Sequence, residues 1–393
     1  MIELLITFLF WACLAVPATA FLFYPLSMKV YSMFATGIDP PEFPDELPGV
    51  ALIIAAFNEE TVIKKRIRNA LSMDYPSHKL DIIIHTDGST DSTDQIASEF
   101  KNQGVILVTR NENRGKTPSL NEAVQKTNAP ILIFSDANSM LQPDSIRYLV
   151  RWFARENVGC VCGRLRYKEN LDDIAAKGER RYWNWDTRLK LWEGRNGRLL
   201  GGNGAILALR RTLAVPLPGN QSNDMVWPII TRLEGYLNIF DPEAVAVEKT
   251  PGSIERESRR KSRIIARGMA GVFYSLKYAF QDTGKPGITS FGKAFLLYQL
   301  IAKKLFRYLA FPALLLSMVS GVFLYSHVEF ILSSIFWCLL GGSVLSTYFA
   351  RLYSSGVSFF PDFSYPLTMA AAAFSGVWKY VSGSELSRWK SQR

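Results

Sequence analysis

Four short apolar segments alternate with predicted helices in the first third of the chain, and this alternation constrains the fold more than any other feature of the sequence. The segments, each predicted to be a strand, are VALIIAA at 50–56, LDIIIHT at 80–86, GVILVTR at 104–110 and APILIFS at 129–135. The predicted helices cover 59–71, about 91–102 and about 118–126. Strands that are apolar on both faces and alternate with helices form parallel sheets covered on both sides. The sequence therefore predicts an α/β domain.

Polar side chains follow all four predicted strands. Because ligands bind beyond the carboxyl ends of the strands in such sheets, these residues are candidates for a binding site. They are Asn58 and Glu59 after the first strand, Asp87 after the second, Lys116 after the third, and Asp136 and Asn138 after the fourth. Helix capping is an alternative for Asn58, and also for Asp91 and Ser119. Capping does not require the lysine or the Asp-x-Asn pair.

The Asp-x-Asn pair and the lysine suit a metal-bound diphosphate. Asp136 and Asn138 are two residues apart, so in an extended segment both side chains face the same way. Their hard oxygen atoms, with no His or Cys nearby, favour Mg²⁺ or Mn²⁺ held together with substrate phosphates. Lys116 follows a glycine and supplies positive charge for a phosphate. Asp87 precedes a Gly-Ser-Thr turn, where it can accept hydrogen bonds from a ribose or base edge. Together these residues predict a nucleotide-diphosphate site.

The pattern changes after residue 155. We expect a strand over GCVCGRLRY, a long aromatic-rich helix at 171–194 and a glycine-rich turn in GGNGAIL at 201–207. A helix follows in NDMVWPIITRLEGY, and a basic helix begins at about 254. No cluster of Cys and His has the spacing of metal ligands, which favours a reduced cytosolic domain.

The net charge of +10 favours acidic partners, namely nucleic acid, anionic lipid or a phosphorylated substrate. Part of this charge lies in the basic helix, where Arg256, Arg260, Arg263 and Arg267 recur at helical spacing and share one face. In one interpretation this face contacts lipid headgroups or solvent. In the other, Arg260 or Arg263 reaches a diphosphate.

Long uncharged segments predict that the chain is anchored in a membrane. Residues 4–28 contain no charged side chain and are numerous enough to cross a bilayer. Two more uncharged runs lie at 308–324 and 330–350, and a shorter one lies at 363–378. We expect the short run to be re-entrant or interfacial, which leaves a cytoplasmic C-terminus. A cleaved signal peptide is the alternative for the first run, but no Lys or Arg precedes it.

Seven motifs carry a resemblance to a known family: AAFNEE, HTDGSTDSTD, NRGKTPSLNEA, FSDANSM, GGNGAILALRR, NDMVWP and RESRRKSRIIARG. Over about residues 48–270 the chain resembles membrane-anchored glycosyltransferase family 2 proteins of the exopolysaccharide- and cellulose-synthase type. The resemblance implies a Rossmann-like nucleotide-diphospho-sugar transferase domain with the GT-A fold, preceded and followed by transmembrane helices. The implied parts are a transmembrane helix at 1–34, a linker at 35–48, the GT-A domain at 49–270, an interfacial segment at 271–304, and a membrane region at 305–393 with two spans and a short third or re-entrant segment.

The resemblance also implies a role for each candidate residue. The roles are uridine contact for Asn58, Glu59 and Asp87; diphosphate contact for Lys116, Asp136, Arg260 and Arg263; metal binding by Asp136 and Asn138; acceptor contact by Gly202, Asn203, Gly204 and Trp183; and base catalysis by Asp224. Capping of the following helix is the alternative for Asp224. For Trp183 and the other tryptophans near it, the alternatives are a position at the bilayer surface and plain packing, which is favoured.

Three positions depart from the family pattern. Asn138 stands where a second Asp is usual, which keeps an oxygen ligand but removes a charge. Asn223 stands where Glu is common, directly before the proposed base. Processive members carry Gln-x-x-Arg-Trp, whereas this chain has Glu-Ser-Arg-Arg-Lys at 257–261. The last departure argues against processive polymerisation, and the sequence leaves open whether one sugar or many are added.

The resemblance implies an inverting transferase in the bacterial inner membrane, with several spans and a cytoplasmic catalytic domain. Its donor would be a UDP-sugar, its metal Mg²⁺ or Mn²⁺, and its acceptor a lipid-linked or growing saccharide. Other expected partners are membrane lipids and further polysaccharide synthesis or export proteins, with no nucleic acid. One alternative is a non-catalytic, nucleotide-sensing subunit of a polysaccharide export complex. A dinucleotide-dependent oxidoreductase is disfavoured because the first strand leads into FNEE and not into a glycine-rich phosphate loop.

Overall fold

The computed structural model describes residues 1–168, 185–249, 254–281, 287–324, 327–353 and 364–383. The strands in this part of the chain are β1 Val50–Ala56, β2 Leu80–Asp87, β3 Val105–Arg110, β4 Ile131–Asp136, β5 Met140–Leu141, β6 Val158–Lys168, β7 Leu207–Arg210 and β8 Leu237–Lys249. The helices are α1 Ile2–Phe34, α2 Glu60–Leu71, α3 Thr93–Ser98, α4 Lys116–Val124, α5 Ser145–Arg151, α6 185–194, α7 Asn223–Leu233, α8 Ile254–Ala279, α9 Ser290–Val322, α10 Val328–Tyr353 and α11 Ser364–Val381.

All of the strands lie in one mixed sheet with the order β3-β2-β1-β4-β7-β6-β8-β5. The first four strands in sequence are parallel to one another, as the alternation of strands and helices predicts. The later strands add antiparallel pairs, in which β7 runs opposite to both β4 and β6. The carboxyl ends of β1, β2, β3 and β4 therefore meet at one edge, and this edge carries the candidate site residues.

The apolar sequence of β1 explains its central place in the sheet. Every residue of this strand is buried. Val50, Leu52 and Ile54 belong to the core on one side of the sheet, whereas Ala51, Ile53 and Ala55 belong to the core on the other side. A strand that is apolar at every position buries both faces only when helices cover both sides. The predicted α/β fold is thereby confirmed.

The chain divides into two units. The sheet unit contains the described residues within Met28–Thr250 and Ala270–Leu297. The helical unit contains those within Met1–Ser27, Pro251–Met269 and Tyr298–Ser384.

Two helices in the described part of the chain are long and apolar enough to cross a membrane, namely Ile2–Phe34 and Ser290–Val322. Each contains one π-helical turn, at Thr19–Phe23 and Leu300–Leu305 respectively. A shorter apolar stretch, Val328–Leu339, begins α10. The helices α1 and α9 agree with the prediction of membrane anchoring, whereas the number of spans stays a prediction.

One local prediction needs correction. The helix expected at about 118–126 begins earlier, at Lys116, because Gly115 has a φ of 101° and turns the chain directly into the helix. Ser119 is consequently an interior residue of α4, and its hydroxyl donates back to the Gly115 carbonyl at 3.0 Å instead of capping the helix. The first half of the helix expected at 171–194 lies outside the described residues, and 185–194 is helical.

Candidate active site

The loops that follow β1 and β2 are joined through Asn58. This residue has a φ of 53°, a left-handed conformation that Asn tolerates better than most residues. Its side-chain oxygen accepts from the Thr90 amide at 2.8 Å, and its Nδ2 donates to the Thr90 hydroxyl at 3.2 Å. The Glu59 amide donates to Thr93 Oγ1 at 2.8 Å. Asn58 and Glu59 therefore bond the loop after β1 to the segment that follows β2. Nucleotide contact by either residue stays a prediction.

Asp87 ends β2, and its side chain is fully buried. Its carboxylate accepts three hydrogen bonds, from Arg110 Nη1 at 3.1 Å, from the Arg114 amide at 3.2 Å and from the Gly115 amide at 2.6 Å. These bonds fix the start of α4, and hence the position of Lys116. Direct contact between Asp87 and a nucleotide stays a prediction, since the hydrogen bonds that its carboxylate makes in the structure are to the protein itself.

A buried polar network lies behind Asp87. The Arg110 guanidinium forms an ion pair with Glu122, which in turn lies 3.3 Å from His85 Nε2. Burial lowers the pKa of His85, against the opposite effect of the neighbouring Glu122. Burial acts to raise the pKa of Glu122, but hydrogen bonds from His85 and Arg110 lower it. Glu122 is therefore ionised, and His85 is neutral near pH 7.

Lys116 and Asp136 meet at the carboxyl edge of the sheet. Lys116 is the first residue of α4 and Asp136 the last of β4, and the Lys116 ammonium pairs with Asp136 Oδ1. The Asp136 side chain is 31% exposed, so a ligand can reach it. A Cβ atom placed on Gly204 would lie 2.9 Å from Lys116 Nζ and 3.1 Å from Asp136 Oδ2. Any larger residue at position 204 would therefore crowd the Lys116–Asp136 ion pair.

Asp136 and Asn138 suit a divalent metal ion shared with a substrate. Asn138 is half-buried and makes no hydrogen bond within the described part of the chain, which leaves its amide oxygen available. No group of three or more His, Cys, Asp and Glu side chains among the described residues could hold a metal ion. A site with one carboxylate and one amide oxygen fits Mg²⁺ or Mn²⁺, because such ions take their remaining ligands from phosphates and water.

The glycine-rich turn after α6 connects this pair to Asp224. The Gly202 amide donates to the Asp224 carbonyl at 2.8 Å. Two residues further along the turn, a Cβ atom placed on Gly204 would lie 3.1 Å from Asp136 Oδ2. Between the two glycines, Asn203 donates from Nδ2 to the Gly163 carbonyl at 3.0 Å and accepts from the Ile206 amide at 3.1 Å. Asn203 thus holds the turn in shape. Acceptor contact by Gly202, Asn203 and Gly204 stays a prediction.

Asp224 lies in the first turn of α7 and is half-buried. The N-cap of this helix is Ser222, so capping does not account for Asp224. The Ser222 hydroxyl donates to Asp224 Oδ1 at 2.6 Å, which orients the carboxylate. The Thr117 hydroxyl donates to the Gln221 carbonyl at 2.8 Å and so joins the beginning of α4 to the segment before α7.

The predicted site residues Arg260, Arg263 and Trp183 are not among the described residues of the sheet unit. Arg260 and Arg263 are half-buried residues of α8, in its part that belongs to the helical unit, and their contact with a diphosphate stays a prediction. Trp183 lies outside the described residues. Two polar side chains of α2 that the motifs do not include, Arg66 and Asn69, bond the loop that carries Asn138.

The mixed α/β sheet and the edge where its polar groups converge agree with the GT-A fold. Residues 51–214 match the model of the family described as glycosyl transferase family 2. This part of the chain is a glycosyltransferase family 2 domain.

Curated relatives and a solved structure agree with this assignment. The chain is 28% identical over 233 residues to the probable glycosyltransferase YdaM of Bacillus subtilis, covering 56% of this chain and 54% of YdaM. It is 30% identical over 169 residues to the beta-monoglucosyldiacylglycerol synthase of Nostoc sp., covering 42% and 35%. It is 29% identical over 167 residues to the poly-beta-1,6-N-acetyl-D-glucosamine synthase of Staphylococcus aureus, covering 38% and 40%. The chain thus matches about half or less of the length of these relatives.

The solved structure is the mannosyltransferase PcManGT from Pyrobaculum calidifontis in complex with GDP-Man and Mn²⁺. It superposes with a TM-score of 0.70 over 98% of this chain and 100% of PcManGT, at 20% sequence identity. At that identity the likeness shows the fold alone. Its coverage includes both units of this chain.

Proposed function

We propose that this chain is an inverting glycosyltransferase that moves a sugar from a UDP-sugar to a lipid-linked or growing saccharide acceptor. The names of the relatives support this class, because one makes a glycolipid and another makes a polysaccharide of N-acetylglucosamine. The proposed process is synthesis of an exopolysaccharide or another cell-surface polysaccharide.

One observation carries the proposal: the turn Gly202-Asn203-Gly204 lies between the main chain of Asp224 and the Lys116–Asp136 pair. At one end the turn is bonded to the main chain of Asp224, and at the other it lies against Asp136 and Lys116. A transferase of this class needs a charged group for the departing diphosphate and a base for the incoming hydroxyl, held a short distance apart. Here the three-residue turn links the main chain of Asp224 to the surroundings of Lys116 and Asp136.

The residues of the chain divide the chemistry as follows. Asp224, oriented by the Ser222 hydroxyl, accepts the proton of the acceptor hydroxyl as that oxygen attacks the anomeric carbon. The bond from this carbon to the diphosphate breaks, and Lys116 Nζ offsets the negative charge that the diphosphate gains. Asp136 and Asn138 would hold a divalent ion, which would supply further positive charge there.

The test is nucleotide release by the purified chain from a panel of UDP- and GDP-sugars, with membrane extract as acceptor and with Mn²⁺, Mg²⁺ or chelator. We expect release from at least one UDP-sugar, dependent on the metal. Asp224→Asn should lower release by about 100-fold or more while UDP binding is kept, because general base catalysis contributes that much. Asp45→Asn, at an exposed aspartate of the linker, is the matched control.

The outcomes separate this proposal from its rival. Tight UDP-sugar binding without release or transfer would indicate a nucleotide-sensing subunit, and release from GDP-sugars alone would change the donor class. Equal loss of binding and release in Asp224→Asn would mean that Asp224 is structural.

We place the protein in the inner membrane, with the sheet unit on the cytoplasmic side where sugar nucleotides are made. The apolar helices Ile2–Phe34 and Ser290–Val322 support membrane anchoring by their length and composition. Partners in this setting are membrane lipids and other polysaccharide synthesis or export proteins. Extraction of the protein from membranes by alkaline carbonate, without detergent, would contradict this location.

A further inference from the structure

The β4–β5 loop, residues 136–141, is held at both of its ends by one helix, α2. At the first end, Arg66 Nε donates to the Asp136 carbonyl at 3.3 Å. At the other end, Asn69 Nδ2 donates to the Leu141 carbonyl at 2.8 Å, and Asn69 Oδ1 accepts from the Leu141 amide at 2.9 Å. The loop that presents the two proposed metal ligands is therefore fastened on each side of Asn138.

The two fastening side chains are bonded to each other. They lie three residues apart on α2, which brings them onto the same face of the helix. Arg66 Nη1 donates to Asn69 Oδ1 at 3.0 Å, so this oxygen accepts from both Arg66 and Leu141. A change in either side chain consequently alters the support of both loop ends.

Arg66 is an unusual residue to bury. Its side chain is completely buried, and within the described part of the chain it forms no ion pair with a carboxylate. Its Nη2 has no hydrogen-bond partner among the described residues. Burial lowers the pKa of Arg66 to about 9, while the charge of Asp136 acts in the opposite direction, so the group is positively charged at pH 7.

Packing alone does not explain this residue. A buried charge without an ionic partner is destabilising, and a leucine or methionine would fill similar space without that cost. The bond that the guanidinium does make to this loop is to the main chain of a proposed metal ligand. Its neighbours along α2 on the buried side, Ile63, Ile67 and Ala70, are all apolar.

The middle of the loop is fixed as well. The Ser139 amide donates to the Asp136 carbonyl at 3.2 Å, and the Ser139 hydroxyl is bonded to Glu248 on β8. With residues 136, 139 and 141 all bonded, the backbone on either side of Asn138 has little freedom. Fixed outer partners of this kind orient metal ligands and raise affinity.

We propose that Arg66 and Asn69 are positioning residues, which hold the β4–β5 loop so that Asp136 and Asn138 bind one divalent ion together. This inference rests on the proposed function, since it needs the metal-bound nucleotide of that proposal. Both side chains act through their bonds to the main chain of the loop. Because Asn138 is uncharged, it attracts a metal ion less strongly than a second carboxylate would. The affinity of the site for the ion therefore depends more on the fixed positions of the two ligands.

The test measures Mn²⁺ binding directly, through the electron paramagnetic resonance signal of free Mn²⁺, with the full chain in detergent and with saturating UDP. Metal-free UDP binding and thermal unfolding are measured on the same samples. The variants are Asn69→Ala, Arg66→Met and Arg66→Lys. Arg68→Met, at an exposed arginine two residues further along α2, is the matched control.

We expect Asn69→Ala to raise the Mn²⁺ concentration at half-saturation by about 10-fold, the usual effect of removing an outer partner of a metal site. Arg66→Met should raise it at least as much, with partial recovery in Arg66→Lys, because lysine keeps the charge but not the forked donors. Metal-free UDP binding should change little, and Arg68→Met should bind Mn²⁺ like the wild type.

Three results would overturn the inference. One is unchanged Mn²⁺ binding in both Asn69→Ala and Arg66→Met. Another is tighter Mn²⁺ binding in Arg66→Met with no change in Asn69→Ala, which would mean that the guanidinium only repels the cation. If Arg66→Met does not fold, unchanged binding in Asn69→Ala overturns the inference by itself. If the wild-type chain fails to bind Mn²⁺ both in the presence of UDP and in the presence of GDP, the proposed function on which the inference depends is itself overturned.

Discussion

The ammonium group of Lys116 pairs with the carboxylate of Asp136, joining the first residue of α4 to the last residue of β4. A positive and a negative group in contact at an accessible edge can each take a new partner when a ligand arrives. A metal-bound diphosphate offers both, since its metal suits Asp136 and its oxygens suit Lys116. The two charges offset each other in the pair, and under the proposed function a metal-bound diphosphate would replace this pairing.

Replacing Lys116 by methionine should remove the charge that faces the leaving diphosphate. We expect kcat/KM to fall by about 100-fold, as for the loss of one preorganised donor to developing charge. The measurement is nucleotide release at several donor concentrations. Lys126→Met, at an exposed lysine just beyond α4, should leave the rate unchanged. Equal rates in the two variants would show that Lys116 serves only to pair with Asp136.

Much of this edge was predictable from the sequence because it depends on local patterns. The strands β1 to β4 each contain a run of apolar residues, and residues that follow them reach the same edge in any parallel sheet. The motifs therefore predict where Lys116 and Asp136 lie. They do not reveal the pairing between these two residues, which depends on the start of α4 at Gly115.

Arg66 could not be assigned from the sequence for a different reason. It stands among Lys64, Lys65 and Arg68, and such a basic segment is typical of a solvated helix face. A signal was present, because Arg66 lies three residues after Ile63 and four before Ala70, within the apolar stripe. Only the packed structure tells which of the four basic residues is buried. Its partner, the Asp136 carbonyl, is 70 residues away in the chain.

Gly204→Ala should impair the site without unfolding the protein. The added methyl group would lie 2.9 Å from Lys116 Nζ, the mobile end of a flexible side chain, so the lysine has to move away from Asp136. We expect kcat/KM to fall by about 10-fold or more for a displaced charged group. The measurement is nucleotide release together with thermal unfolding.

The matched control for Gly204 is Gly49→Ala. A Cβ atom at Gly49 would meet only Pro130 Cδ, at an ordinary contact distance of 3.5 Å. This variant should keep both its activity and its unfolding temperature. A large fall in the unfolding temperature of Gly204→Ala would contradict the prediction, because the effect would then be on folding.

Cys160 and Cys162 should be unreactive in the folded protein. Both thiols are fully buried on β6, and burial raises the pKa of each, that of Cys162 to about 11. Since the thiolate is the reactive form, labelling near pH 8 should be absent until the chain unfolds. A variant with Cys13→Ser and Cys338→Ser leaves only this pair among the four cysteines. Maleimide labelling of that variant at the same rate with and without denaturant would contradict the burial.

His85 should make the folded protein less stable as the pH falls below about 6.5. Burial lowers the pKa of His85 in the folded state, whereas the unfolded chain keeps a value near 6.5. Above that pH both states are neutral at His85, and the residue has no effect on the pH dependence. Below it the unfolded state binds the proton more readily, so stability is lost by at most about 1.4 kcal/mol per pH unit for one proton, until the folded pKa is passed.

The measurement for His85 is the thermal unfolding midpoint in detergent between pH 7.5 and pH 5.5. We expect His85→Gln to flatten the decline seen in the wild type on the acid side. His78→Gln, at an exposed histidine, should leave the decline as it is. The structure supports a neutral His85, because Nε2–H can donate to Glu122 while Nδ1, which has no hydrogen-bond partner among the described residues, carries no proton. An identical decline in His85→Gln and the wild type would mean that the pKa of His85 is the same in the folded and the unfolded state, and would contradict the prediction.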